Sequence, residues 1–159
     1  RRRYPDRFVI TVVEREPVLL LADGGLWFVD ADGEVFKPVE AGEYMDLPVV
    51  TGLSIDDRVA DPLGCQQRLQ QAHAVIEAFG HAGELGAEDI GELRLLPSGD
   101  IAVRLAEQGV DLKLDDEAYE LGLQRLDTLL QRDLLSLNAV SAVDLALRNQ
   151  VVAVRKVEL

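Results

Sequence analysis

The segment EREPVLLLADGGLWFVDADGEVF, Glu14–Phe36, decides the fold class of this chain. Residues 18–22 are apolar at every position, which is typical of a strand that is buried on both faces. Two further strand patterns follow at residues 26–29 and 34–36. The intervening residues are of the types that tight turns require, Asp23-Gly24-Gly25 and Asp32-Gly33. The segment therefore predicts a β-sheet that begins with strands adjacent in sequence.

Strand patterns continue on both sides of this segment. Phe8–Val13 is predicted as a strand from its β-branched content, whereas residues 37–60 contain several Pro and Gly and are interpreted as an irregular connection. A three-stranded meander is predicted next, because apolar and polar residues alternate and turn residues separate the strands. Its strands are Leu93–Leu96, Ile101–Leu105 and Val110–Leu114.

Two helices interrupt the strands. Asp61-Pro62 predicts the start of the first, because Asp accepts N–H bonds at an N-cap and Pro fits the first helical position, and Gly80 is a fair C-cap. The second is predicted from about Asp116 to Arg132. Their apolar stripes are Cys65, Leu69, Ala72, Ile76 and Phe79, and then Tyr119, Leu123, Leu126 and Leu130. The predicted fold class is α+β, a largely antiparallel sheet with two main helices.

Composition excludes several classes of partner. The chain has 159 residues, 48% of them hydrophobic, and a formal net charge of −13. This charge argues against binding to nucleic acid and to anionic membrane surfaces, which both need clustered Lys and Arg. Cys65 is the only cysteine, so no internal disulfide forms. The chain starts at Arg1 without a methionine, signal peptide or membrane span, and we interpret it as a piece of a longer protein.

No residue pattern predicts catalysis, a metal or a cofactor. Asp30-Ala31-Asp32-Gly33 resembles the start of a calcium loop, but Val35 and Ala41 stand where that loop needs Gly and Glu, so a hairpin turn is favoured. His73 and His81 do not share a helical face at metal-ligand spacing. Cys65 lies on an apolar stripe and is interpreted as a buried, inert thiol. We therefore expect no enzymatic activity.

Two other classes of function remain as alternatives. An envelope domain that binds a small ligand or lipid would need an apolar pocket between helix and sheet. A hydrolase with an unrecognised site would need a cleft with convergent acids and strongly shifted pKa values.

The end of the chain predicts a hairpin with an exposed edge. Strands at Ala142–Leu147 and Val151–Val157 flank a tight turn, Arg148-Asn149-Gln150. The last strand is apolar, and an apolar sheet edge can accept a strand from another chain, unless the hairpin only closes the sheet. Arg155, Lys156 and Glu158 follow it and could act as gatekeepers against self-pairing.

Four motifs in the same order resemble the FtsQ/DivIB-type bacterial cell-division proteins. In YPDRFVITVVEREPV, Tyr4–Val18, Pro5-Asp6 precedes a strand, and Glu14-Arg15-Glu16-Pro17 is similar to the E-R-x-P junction between the family's POTRA domain and its β domain. The other three motifs are FVDADGEVF (Phe28–Phe36), LPVVTG (Leu47–Gly52) and VDLALRNQVVAVR (Val143–Arg155). Two departures are clear: Ala146-Leu147 replaces the usual R-Y, and Arg155 lies close to the place of a terminal aromatic.

The resemblance implies a domain division and an address. Residues 1–14 would be the last strand of a truncated POTRA domain and the hinge, and residues 15–159 would be the β domain. The parent would be a single-pass protein of the cell inner membrane, with these domains on the periplasmic side at the division septum.

The resemblance also implies a function. The protein would be a non-enzymatic divisome scaffold that recruits and regulates proteins of the FtsB and FtsL type, with FtsB adding a strand to the closing hairpin. Arg148 and Arg155 could pair with acidic partner residues. By matching positions, the partner-binding residues would be Leu147, Arg148, Asn149, Gln150, Val151, Val152, Ala153, Val154 and Arg155.

Overall fold

The computed structural model describes residues 14–43, 46–81 and 83–156. The predicted strand at Phe8–Val13, the Pro5-Asp6 motif and the end of the last predicted strand lie outside these ranges. The strands are β1 Pro17–Ala22, β2 Leu26–Asp30, β3 Val35–Pro38, β4 Val49–Thr51, β5 Ile90–Leu95, β6 Ile101–Leu105, β7 Asp111–Leu114, β8 Val140–Asp144 and β9 Val152–Arg155. The α-helices are α1 Ile55–Ala60, α2 Pro62–Phe79 and α3 Tyr119–Gln131.

The strands form one sheet in the order β3-β2-β1-β4-β5-β6-β7-β8-β9. Five neighbouring pairs are antiparallel, which confirms the predicted α+β class with a largely antiparallel sheet. The other three pairs, β1–β4, β4–β5 and β7–β8, are parallel. Two of them are joined by helical crossovers, α1 and α2 before β5 and α3 before β8, because a parallel connection needs a long crossover.

The prediction of an irregular connection over residues 37–60 is wrong in part. This region contains β4, which lies between β1 and β5, and the short helix α1. The amide of Leu20 donates to the carbonyl of Pro48 and so joins the segment to β1. Ser54 and Asp57 form a capping box that starts α1, a local signal that the Pro and Gly content obscured.

The position after β4 requires a glycine, Gly52. Its φ is +92°, and a Cβ at this position would lie 2.3 Å from the carbonyl oxygen of Leu95. A side chain is therefore excluded both by backbone conformation and by the neighbouring strand β5.

The two long helices agree with the predicted patterns. Asp61 accepts a hydrogen bond of 3.0 Å from the amide of Gly64 and caps α2, and all five residues of its predicted stripe are buried. The helix ends at Phe79 and Gly80 is its C-cap, as predicted, although its φ of −61° is one that any residue can adopt. α3 begins later than predicted, at Tyr119, because Asp115 accepts from the amides of Glu117 and Ala118 and holds a separate turn.

The core lies between the helices and one face of the sheet. Residues that alternate along the meander, such as Ile101, Val103 and Leu112, are completely buried there. The other face carries charged side chains, including the ion pair of Arg104 with Asp111 at 2.9 Å. This arrangement confirms the predicted buried and solvent-facing sides. Within the described ranges, no helix has both the length and the apolar content of a membrane span.

Candidate partner-binding site

β9 is a free edge of the sheet. It is the last strand in the sheet order and pairs with β8 alone among the described strands. All four of its residues are exposed, and Val152 and Val154 retain 44% and 53% of their accessible surface. The structure therefore places two large apolar side chains in solvent beside unpaired backbone groups, which is the arrangement that a sheet edge normally avoids.

The hydrogen-bonding direction along β9 follows from its last contact with β8. The amide of Lys156 donates to the carbonyl of Ala139 at 3.0 Å. Backbone groups of successive strand residues point to opposite sides, so Val154 and Val152 also face β8. The amides and carbonyls of Ala153 and Arg155 therefore point away from the sheet and are positioned to receive another strand.

Side chains on β9 alternate between two environments. Ala153 is opposite Val143, which is completely buried, so its side chain lies on the helix-covered face. Val152 is opposite Asp144 and Val154 is opposite Ala142, both on the solvent-facing side. An added strand would contact Ala153 and Arg155 on one face and the two valines on the other.

The connection between β8 and β9 is longer than the predicted three-residue turn. β8 ends at Asp144 rather than Leu147, and its carboxylate accepts from the amide of Ala146 at 3.0 Å. Arg125 of α3 donates to the carbonyl of Leu147 at 2.9 Å and also to that of Arg148. The connection is thus attached to α3 by a residue that the sequence reasoning missed, since no local pattern links positions so far apart.

A groove of about 880 Å³ lies between α3 and this connection. Five of the predicted residues line it: Arg148, Asn149, Gln150, Val151 and Ala153. Its opposite wall contains Leu121 and Leu134, which are both largely exposed. These two leucines were not predicted as site residues. The sequence does contain a signal for Leu121, because an apolar residue outside the buried stripe of a helix is expected to face solvent.

Basic side chains surround the edge of this otherwise acidic chain. Arg148 and Arg155 are exposed and form no ion pair with any residue that the structure describes. The ammonium of Lys156 donates to the carbonyl of Gln108 at 3.0 Å and holds the end of β9 against the turn after β6. The two arginines are therefore available to carboxylates of another chain.

The other candidate groups have structural roles. Asp30 accepts from the amides of Asp32 and Glu34 and binds Arg15, so it stabilises the β2–β3 turn. Burial raises the pKa of the Cys65 thiol, in agreement with an inert cysteine. No group of three potential metal ligands occurs within residues 14–43, 46–81 and 83–156.

The architecture defines an α+β domain whose mixed sheet ends in an exposed strand beside a groove. Residues 19–146 match the family described as "Cell division protein FtsQ/DivIB, C-terminal". The chain belongs to this family of cell division proteins, and the resemblance found in its sequence motifs is confirmed.

Several relatives carry the name Cell division protein FtsQ. The protein of Myxococcus fulvus is 37% identical over 125 residues, which cover 79% of this chain and 43% of the relative. Those of Geobacter sp. strain M21 and Geotalea daltonii are 30% and 28% identical over 157 residues, 99% of this chain and 57% of each relative. The chain spans about half the length of the curated relatives it matches.

Proposed function

We propose that this domain is a non-enzymatic scaffold of the division machinery that recruits and regulates FtsB- and FtsL-type proteins at the septum. Recruitment occurs by addition of a partner strand to β9. The observation that carries the proposal is that all four residues of this terminal strand are exposed, including two valines. A strand that served only to close the sheet would be expected to carry polar or charged residues at these positions.

The geometry supports a specific mode of addition. The partner strand pairs with the outward backbone groups of Ala153 and Arg155, so that main-chain hydrogen bonds supply affinity. Its alternate side chains meet Val152 and Val154 on the solvent-facing side. A neighbouring helical part of the partner occupies the groove beside α3, and its carboxylates pair with Arg148 and Arg155.

Ligand or lipid binding has less support. A lipid tail or drug-sized ligand needs an enclosed, mostly apolar pocket of several hundred Å³. Beside α2 and α3, the cavity lined by Phe79, Leu123 and Leu126 has a volume of about 10 Å³. The larger hollow of about 840 Å³ beside α2 is open to solvent and has Asp57, Asp61 and Arg68 in its wall. Among the described acidic groups whose pKa is lowered, Glu92 and Asp100 each have a neighbouring hydrogen-bond donor that accounts for the shift. These are structural interactions rather than features of a hydrolase site.

The proposed organisation of the parent follows the family resemblance. Residues 1–14 form the tail of a POTRA domain and the hinge, and the β domain begins at Arg15. The parent is anchored in the inner membrane by one span, with these domains in the periplasm. The ion pairs of Arg15 with Asp30 and Glu34 support a junction that is attached to the β domain at this point.

Strand addition is tested by titrating a peptide from the membrane-proximal C-terminal region of the organism's own FtsB-like protein against the full-length protein in nanodiscs. Ala153→Pro removes an outward amide without removing a bond to β8, so saturable binding should be lost while the domain stays folded. Ala153→Ser retains the amide and should bind like the wild type. Equal binding by the proline variant would overturn strand addition, and no binding to the wild type would overturn this partner.

A further inference from the structure

α1 is a helix with no buried residue. Ile55 and Val59 lie one turn apart on it and are 52% and 75% exposed, and Leu63 at the start of α2 is 72% exposed. We name these three residues the α1 surface. A surface helix normally turns its apolar residues towards the core, so this orientation is unusual.

The outward orientation is held by specific contacts. Arg58, on the inner side of α1, donates to the carboxylate of Asp23 at 3.2 Å and lies 5.6 Å from the centre of the Trp27 ring. The capping box of Ser54 and Asp57 fixes the first turn. A charged residue therefore attaches the helix to the β1–β2 turn, and the apolar residues are left facing solvent. Exposed apolar clusters on otherwise polar surfaces mark interaction sites.

The charge around the α1 surface indicates what can bind there. Asp56, Asp57 and Asp61 are all exposed, and the one cation among residues 55–63, Arg58, is already paired with Asp23. An anionic membrane would be repelled by these carboxylates. A symmetric contact with a second copy would place the same carboxylates against each other. A partner segment with both apolar and basic residues satisfies both features of this surface.

We propose that the α1 surface docks a basic amphipathic segment of another protein. Arg58 attaches α1 to the turn after β1, and five strands separate β1 from β9 in the sheet order. At the usual strand spacing the two sites are about 30 Å apart. The domain can therefore hold two partners at once, and this inference does not rest on the function proposed for β9.

The test uses a labelled peptide of about 18 residues, in which Leu and Lys repeat at helical spacing, and the full-length protein. Binding is measured by fluorescence anisotropy, with a peptide carrying Glu in place of Lys as the control. We expect saturable binding of the basic peptide alone. The double variant I55S/V59S should weaken it about tenfold or more, because exposed anchors of this kind carry most of the affinity.

Matched variants separate this surface from other sites. L121S/L134S removes two exposed leucines from the groove beside β9 and should leave binding unchanged, as should Ala153→Pro. Asp56→Lys keeps the apolar residues and should also weaken binding. Unchanged Trp27 fluorescence shows that α1 remains in place, because Arg58 lies over that ring.

Three results would overturn the inference. The first is equal affinity for the wild type and I55S/V59S. The second is weakening by L121S/L134S instead. The third is a concentration-dependent dimer in sedimentation velocity that I55S/V59S abolishes, which would make a second copy the occupant.

Discussion

Arg15 binds the carboxylate of Asp30, the one charged side chain among the described residues that is buried. The two oxygens of Asp30 serve different contacts: one binds Arg15, and the other accepts from the amides of Asp32 and Glu34. The residues just before β1 are thereby attached to the β2–β3 turn.

Substitutions at this pair should separate the two roles of Asp30. Asp30→Asn retains an acceptor for the turn amides but loses the ion pair with Arg15, and Arg15→Ala loses the ion pairs with both Asp30 and Glu34, so each should lower the melting temperature modestly. Asp30→Ala should lower the free energy of unfolding by about 1–3 kcal/mol more, because two amides lose their acceptor. Unfolding is followed by the fluorescence of Trp27, the single tryptophan. Equal effects of all three variants would contradict this division.

Gly52 and Gly24 form a matched pair for backbone strain. Both residues have a positive φ, +92° in Gly52 and +61° in Gly24. A Cβ at Gly52 would lie 2.3 Å from the carbonyl oxygen of Leu95, whereas a Cβ at Gly24 would have no atom within 4 Å. Gly24→Ala should therefore lower the free energy of unfolding by about 1 kcal/mol, because alanine disfavours the left-handed conformation. Gly52→Ala should lower it by more, because the Leu95 carbonyl also obstructs the new side chain. Urea unfolding of both variants measures the difference. A smaller cost at Gly52 would mean that β4 and β5 can separate freely.

Asp100 should contribute to acid sensitivity. A hydrogen bond from Lys113, and a weaker one from Ser98, lower the pKa of Asp100. The pKa of Asp100 in the folded protein lies below its unfolded value of about 3.9. The stabilisation that ionised Asp100 provides is therefore complete above about pH 3.9 and is lost as the pH falls through the lowered pKa. Asp100→Asn should thus reduce stability at neutral pH and flatten its decline below about pH 4. Glu107→Gln is the control, because Glu107 is exposed and forms no ion pair with any described residue. Parallel pH profiles for Asp100→Asn and the wild type would exclude this role.

Arg125 should organise the connection before β9. Arg125→Ala removes the donors to the carbonyls of Leu147 and Arg148, so amide hydrogen exchange at residues 148–150 should accelerate. Affinity for an FtsB-like peptide should fall about three- to tenfold, because the groove is no longer preorganised. Gln124→Ala, one residue away on the same helix and also in the groove wall, should not accelerate exchange. Unchanged exchange in Arg125→Ala would mean that other contacts hold the connection.

The elements that the sequence predicted correctly depend on local patterns. The stripe of α2 and its Asp61 cap are contained within the helix, and the alternation in β5, β6 and β7 is visible within each strand. Their burial follows because one side of each element is apolar and must leave water. The family could also be recognised from motifs, since each of these is a short run of consecutive residues.

The elements that the sequence did not predict depend on distant partners. β4 has only three residues, and its position is set by β1 and β5 on either side of it. α1 has only six residues, so the spacing of Ile55 and Val59 is too short a pattern to predict a helix.

The candidate site shows the same division between local and distant causes. The last apolar strand and its turn residues are evident in the sequence, and their place at the end of the chain suggested a sheet edge. Only the tertiary structure decided which amides of β9 point outwards, and only it placed Leu121 and Leu134 across from Val151 to form a groove. The physical reason is that periodicity records how a residue meets its own element, whereas an edge or a groove is created by the relative placement of several elements.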